Sequence, residues 1–116
     1  MKKSTVIACA AFTGLAACAA PPSSPEEKVA RQAAVMRHST TECTIYMGGV
    51  AGIQDVIKAA NRKEAQARQL GATDALIAKA KQDVRMTWDT GVAMVGEQEM
   101  CSDAMSVIGN ELVKEG

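Results

Sequence analysis

Four cysteines, one histidine and one Asp-Thr-Gly triplet are the residues of this 116-residue chain whose types could do chemistry beyond packing. His38 and Glu42 stand four apart and can pair on one helix face. A nucleophilic couple needs a third, orienting group, and Cys43 lies off that face, so the pair reads as a surface ion pair. Asp89-Thr90-Gly91 carries one carboxylate, whereas acid proteolysis needs two that share a proton. The triplet also falls inside a helical pattern. The stretch Gly48-Gly49-Val50-Ala51-Gly52 lacks both the G-x-G-x-x-G spacing and a preceding strand, so it is no phosphate cradle. One histidine with two cysteines falls short of a zinc ligand set, and the methionines sit mainly at apolar positions, where they fill core volume. The expectation is a protein that is not an enzyme, with no metal and no cofactor.

Two of the cysteines, Cys9 and Cys18, lie in an N-terminal segment of distinct character. Lys2 and Lys3 precede an uncharged, mostly apolar run from Val6 to Ala17, and the run closes on Leu15-Ala16-Ala17-Cys18. A basic start, an apolar stretch and a small-residue site make a secretory signal peptide over residues 1–17, expected to be cleaved. The tetrapeptide resembles the lipobox of bacterial lipoproteins. The resemblance covers residues 1–18 only, and no family is recognised for the mature domain. It implies a diacylglyceryl thioether on Cys18, cleavage before it, and acylation of the new amine, with palmitate-type chains. Two or three such chains hold a protein stably on a membrane, whereas one holds it marginally. In the enteric sorting pattern an aspartate after the cysteine favours the inner membrane; Ala19 stands here, which points to the outer membrane, facing the periplasm. Ala17-Cys18-Ala19 also fits an ordinary cleavage site that would release the protein. Ser4–Ala20 falls short of the roughly 20 apolar residues of a membrane helix. Val6-Ile7-Ala8-Cys9 follows Lys3 too closely to close a signal, so Cys9 leaves with the peptide.

That leaves Cys43 and Cys101. An even pair of cysteines in an exported chain reads as a disulfide. The whole chain balances 13 basic against 13 acidic residues, and loss of Lys2 and Lys3 makes the remainder slightly acidic. No nucleic-acid partner is expected from that balance.

The elements that must position these residues read as helical throughout. Residues 18–24 form the lipid-bearing cysteine and a tether, in which Pro21 and Pro22 favour an extended chain. Residues 25–115 form a single helical domain. Ser24 caps it, Pro25 takes the first helical position and Glu27 completes a capping box. Val29, Ala33, Met36, Thr40, Cys43, Met47 and Val50 then recur at alternating spacings of four and three, an a/d stripe that predicts one helix past Cys43. Ser39-Thr40-Thr41-Glu42 could break it. Ile53, Ile57, Ala60, Ala67 and Leu70 resume a face, Leu70-Gly71 marks a helix end and Thr73-Asp74 the next start. Beyond the turn, Ile77, Val84, Gly91, Gln98, Met105 and Leu112 repeat every seven residues.

Cys43 and Cys101 are equidistant along the chain from Ala72, and so are Gly48 and Gly96. Folding at Ala72 therefore brings both pairs level. The predicted fold is all-α: an antiparallel helical hairpin with glycine breaks, or the same chain doubled into a small four-helix bundle over 25–47, 53–70, 74–90 and 97–113, stapled by one disulfide. The hairpin would expose part of the apolar band around Ile45, Tyr46, Met47, Val50, Val92 and Met94, which favours bending or self-association.

Charge is unevenly distributed. Lys58, Arg62, Lys63, Arg68, Lys79, Lys81 and Arg85 outnumber Glu64, Asp74 and Asp83 within 58–85, while Asp89, Glu97, Glu99, Asp103, Glu111 and Glu115 face only Lys114 within 89–115. Charge runs are commonly solvated helix faces; the functional alternative is a basic tip, distal to the tether, offered to an acidic partner. The resulting expectation is a small lipid-anchored envelope protein working through contact with an unknown envelope protein, or with itself, as an accessory or assembly subunit. The rivals are a periplasmic inhibitor or stress chaperone, and a tether to the cell wall through the basic tip.

Overall fold

The tether ends in a well-capped helix. A computed structural model describes residues 22–115; the signal segment, Cys18 and the start of the tether lie outside the described residues. Ser24 is the N-cap of α1 (Pro25–Glu42), its hydroxyl accepting from the Glu27 backbone N–H at 3.2 Å. Glu27 reaches back one residue further than a capping box would take it. Its carboxylate accepts from the backbone N–H and the hydroxyl of Ser23, at 2.9 and 2.8 Å.

The expected single helix through Met47 does not form. Ser39, Thr40 and Thr41 each turn a hydroxyl back onto the carbonyls of Val35, Arg37 and His38, at 2.8, 2.6 and 2.8 Å. Such back-bonding competes with the helical ladder. Cys43 leaves helical geometry at φ −120°, a 3-10 turn follows at Thr44–Tyr46, and Gly48 and Gly49 reverse the chain at φ 75° and 96°. Left-handed backbone of that kind costs glycine nothing sterically. α2 starts at Val50, which the stripe had placed inside; it is 74% exposed.

α2 (Val50–Gln69) closes with Gly71 at φ 113°. The N–H of Ala72 bonds to the Ala67 carbonyl at 2.9 Å and that of Gly71 to Arg68 at 3.0 Å, the two bonds of a Schellman motif. Thr73 then caps α3 (Asp74–Val95), accepting from Leu76 N–H at 3.1 Å. Gly96, at φ 93°, is the whole connection to α4 (Glu97–Glu115). The boundary at Gly71–Thr73 matches the sequence reading, and α3 runs through Gly91 rather than stopping before it. A Cβ at Gly91 would meet the tip of the Met100 side chain from α4, which would have to move aside.

The described residues are all-α, with four helices and no strand, and the doubled-over alternative is the one adopted. Its packing differs from paired arms. α1 packs along both α2 and α3 and also touches α4, while α2 and α3 scarcely meet away from their shared turn. α1 is therefore the central helix, and small residues on several of its faces (Ala30, Ala33, Ala34) let its neighbours approach. A fold at Ala72 alone would have paired α2 with α3. The breaks at Cys43–Gly49 and Gly96 free α1 and α4 to rearrange around them.

Two cores result. One gathers Val29, Ala30, Ala34, Ala67, Ala72, Ile77, Ala80 and Val84 at the end that holds the Gly71 turn. The other gathers Met36, Cys43, Met47, Val56, Trp88, Met100, Cys101 and Ile108, with the small residues between them, at the opposite end.

Candidate functional site

Cys43 and Cys101 form a disulfide with Cα atoms 5.6 Å apart, and both are fully buried. It ties the end of α1 to the first turns of α4 across a sequence separation of 58 residues. Of the expected sites this is the one the fold brings together as read.

Among the seven basic residues, Lys63, Arg68, Lys79 and Lys81 are paired with carboxylates. Lys63 pairs with Glu111 of α4 at 2.9 Å, both side chains largely buried. That contact holds the Glu111 carboxyl below its usual range, and Lys114 adds to the effect. Arg68 bonds Asp74 at 2.6 Å and Glu64 at 3.5 Å, and Lys81 reaches the same Glu64 at 3.7 Å. Lys79 pairs with Asp83 at 2.8 Å. Lys58, Arg62 and Arg85 are exposed. The charge blocks separated in sequence are thus partly joined in space, with α4 acid against α2 base.

The location also differs from expectation. Val29 and Ala30, one turn into α1, share a core with Ala67, Ala72 and Ile77. The tether accordingly leaves the domain at the same end as the Gly71 turn, so the basic stretch near the turn lies beside the tether rather than distal to it. A buried ionic group anchors this end: Arg31 of α1 bonds Glu27 at 2.8 Å and lies 3.9 Å from Asp83 of α3. Hydrogen bonds from Ser23, with Arg31 and Lys79 nearby, hold the Glu27 carboxyl below its usual range against the opposing effect of burial.

His38 does not stand on an open surface facing Glu42 alone. Its ring meets Trp88 edge-on, with centroids 5.1 Å apart. Nε2 of His38 and Nε1 of Trp88 are both buried, and neither has a hydrogen-bond partner among the described residues. Burial pushes the imidazole pKa down; Glu42 and Asp89 oppose that shift and Arg85 adds to it. No sequence signal announced this contact, because it joins α1 to the far half of α3. Asp89 of the Asp-Thr-Gly triplet is exposed, and the Thr90 hydroxyl is turned onto the Met86 carbonyl at 3.0 Å. Among the described residues, no three His, Cys, Asp or Glu side chains gather as a metal site.

Of the apolar band, Met47 and Trp88 are buried and Ile53 and Val92 half-buried against the core. Ile45, Tyr46, Val50, Met86, Met94 and Val95 are exposed. No helix among the described residues is long and apolar enough to cross a membrane. The fold and the staple define a small disulfide-bonded helical domain. No protein-family model, curated protein or solved structure matches the chain.

Proposed function

We propose that the chain is an exported lipoprotein, held at the outer membrane by lipid on Cys18, whose helical domain works by protein contact as an accessory or assembly subunit of the envelope. The observation that supports it best is the Cys43–Cys101 disulfide. Structural disulfides persist in oxidising compartments outside the cytoplasm, which agrees with the export signal and lipobox resemblance at Leu15–Cys18. The exposed Ile45, Val50 and Met94 supply surface for such contacts, since exposed apolar area is characteristic of interaction sites.

A second reading, a periplasmic inhibitor or chaperone that captures clients, draws on the same exposed side chains. Saturable binding of one partner favours the subunit; broad binding of unfolded chains favours the chaperone. The anchor is tested by Cys18→Ser with radiolabelled fatty acid in intact cells. Label is expected on the wild type and absent from the variant, which accumulates as precursor or is released. A mature variant that stays membrane-bound without label would exclude the anchor.

A further inference from the structure

The two ends of the domain differ in charge as well as in core, and the difference is legible only once the chain is folded. No Lys or Arg occurs in residues 38–57 or 86–113. Those two segments meet at the disulfide, since Cys43 and Cys101 belong to one each. Besides Glu111, which pairs with Lys63 and Lys114, they carry Glu42, Asp55, Asp89, Glu97, Glu99 and Asp103, all exposed, and among the described residues none of these six enters an ion pair. The same segments carry Ile45, Tyr46, Val50, Met94 and Val95, each within seven residues of a half-cystine and between 41% and 84% exposed. Of the basic residues at the borders, Arg37 bonds Asn61 and Glu64 at 3.0 and 3.1 Å and Lys114 pairs with Glu111 at 3.5 Å, while Lys58 and Arg85 are exposed.

We infer that the disulfide end is an acid-rimmed apolar docking surface, built for a basic amphipathic segment of a partner protein. Three observations select that occupant. A second copy would bring six like charges against six, which disfavours association of the same faces. The chain's own N-terminal segment cannot cover the surface in the mature form. Cys18 lies only four residues before Pro22, at most about 14 Å of extended chain, while α1 with its 18 residues holds the two ends about 27 Å apart. A partner with apolar side chains flanked by Lys and Arg satisfies both the exposed side chains and the uncompensated acids. This deepens the proposed function and rests on it for orientation: lipid on Cys18 tethers the turn end, so the docking end faces away from the membrane.

The test uses the lipidated mature protein in neutral phosphatidylcholine nanodiscs and a fluorescent helical peptide of Leu and Lys as probe. A peptide with Glu in place of Lys is the control. The basic peptide is expected to bind and the acidic one not to, with affinity falling as salt is raised. Glu97→Lys with Glu99→Lys should weaken binding about tenfold, through loss of rim complementarity. Ile45→Ser with Met94→Ser should weaken it comparably, and Lys79→Glu with Lys81→Glu, at the other end, should leave it no weaker. All six positions are exposed, and thermal melting of each variant verifies that it is folded. Equal affinity across the variants, equal binding of the acidic peptide, or dimers that dissociate on Ile45→Ser with Met94→Ser would overturn the docking surface. Lipid on Cys18 is scored by mass on the same preparation: its absence would overturn the anchor and the outward orientation, while leaving the peptide result to stand or fall separately.

Discussion

The turn end and the disulfide end of this domain solve the same problem with different materials. At the turn end the core is Ala and Val with one Ile, and its largest fixed polar feature is the Glu27–Arg31–Asp83 group. At the disulfide end Trp88, Met36, Met47, Met100 and Ile108 supply bulk, and a covalent bond holds the elements. Alanine buries little area, and stabilisation scales with apolar area removed from water. What it offers instead is close helix approach, which brings charged groups of α1 and α3 together under cover. The lesson is that the turn end depends on its ionic group for specificity and stability, whereas the other end depends on volume and its staple.

The largest expected effect comes from breaking the staple. In the chain-entropy model a disulfide closing this loop contributes about 4 kcal/mol. Cys43→Ser with Cys101→Ser should therefore lower the melting temperature strongly, and native-state hydrogen exchange should show the loss first in α4 and the Thr44–Tyr46 turn. Uniform loss of protection across both ends would mean that the two cores unfold as one unit and would dissolve the contrast drawn above.

A smaller effect is expected at the turn end. Arg31→Met removes the salt-bridge partner of the Glu27 carboxylate, leaving Lys79 as a more distant positive charge, and loss of a buried partner is costly. Ser23 still donates two hydrogen bonds, and Lys79 still holds Asp83, so a loss of about 2 kcal/mol is expected rather than the larger values seen for fully isolated charges. Denaturant melts measure it. A variant as stable as the wild type would show that the alanine core suffices by itself.

The smallest effect is a pH dependence in which the half-buried histidine and the paired carboxylates act in different windows. His38, between α1 and α3 beside Trp88, has its pKa lowered from 6.5 by burial. The unfolded chain then binds a proton more readily than the folded one. Its stabilising contribution is present above pH 6.5 and is lost as pH falls below that value towards the folded pKa. Glu27 and Glu111 are lowered from 4.5, so their contribution is present above 4.5 and is lost only at more acidic pH. Stability measured from above pH 6.5 down to pH 4.5 should fall modestly with acid in the wild type and become flat in His38→Gln. An unchanged slope in that variant would assign the dependence to other groups.

Much of the fold was legible from local chemistry. The helix start at Ser24-Pro25, the stop at Gly71 and the restart at Thr73 follow from caps and left-handed glycine, which act within a few residues. The Cys43–Cys101 pair followed from compartment and parity, and the symmetric placement about Ala72 agreed with it. The stripe through Thr40 and Cys43 misled because periodicity records which side chains are apolar, and does not register three consecutive hydroxyls bonding back to carbonyls. The pairing of the basic stretch was hidden for a related reason. Net charge along a segment is blind to partners contributed by another helix, such as Glu111 against Lys63.

The sequence by itself determined that the domain is helical, where most of its helices begin and end, and which cysteines join, because caps, glycines and thiol parity are properties of short stretches. The tertiary structure decided that α1 is central, that its N-terminus lies beside the Gly71 turn, and that two distant acidic segments and their exposed apolar side chains share one end. Those outcomes depend on which of several nearly equivalent helix faces pack together. Alanine-rich helices present many such faces, so the choice is made by long-range fit among Trp88, the methionines and the buried ion pairs, and no single stretch encodes it.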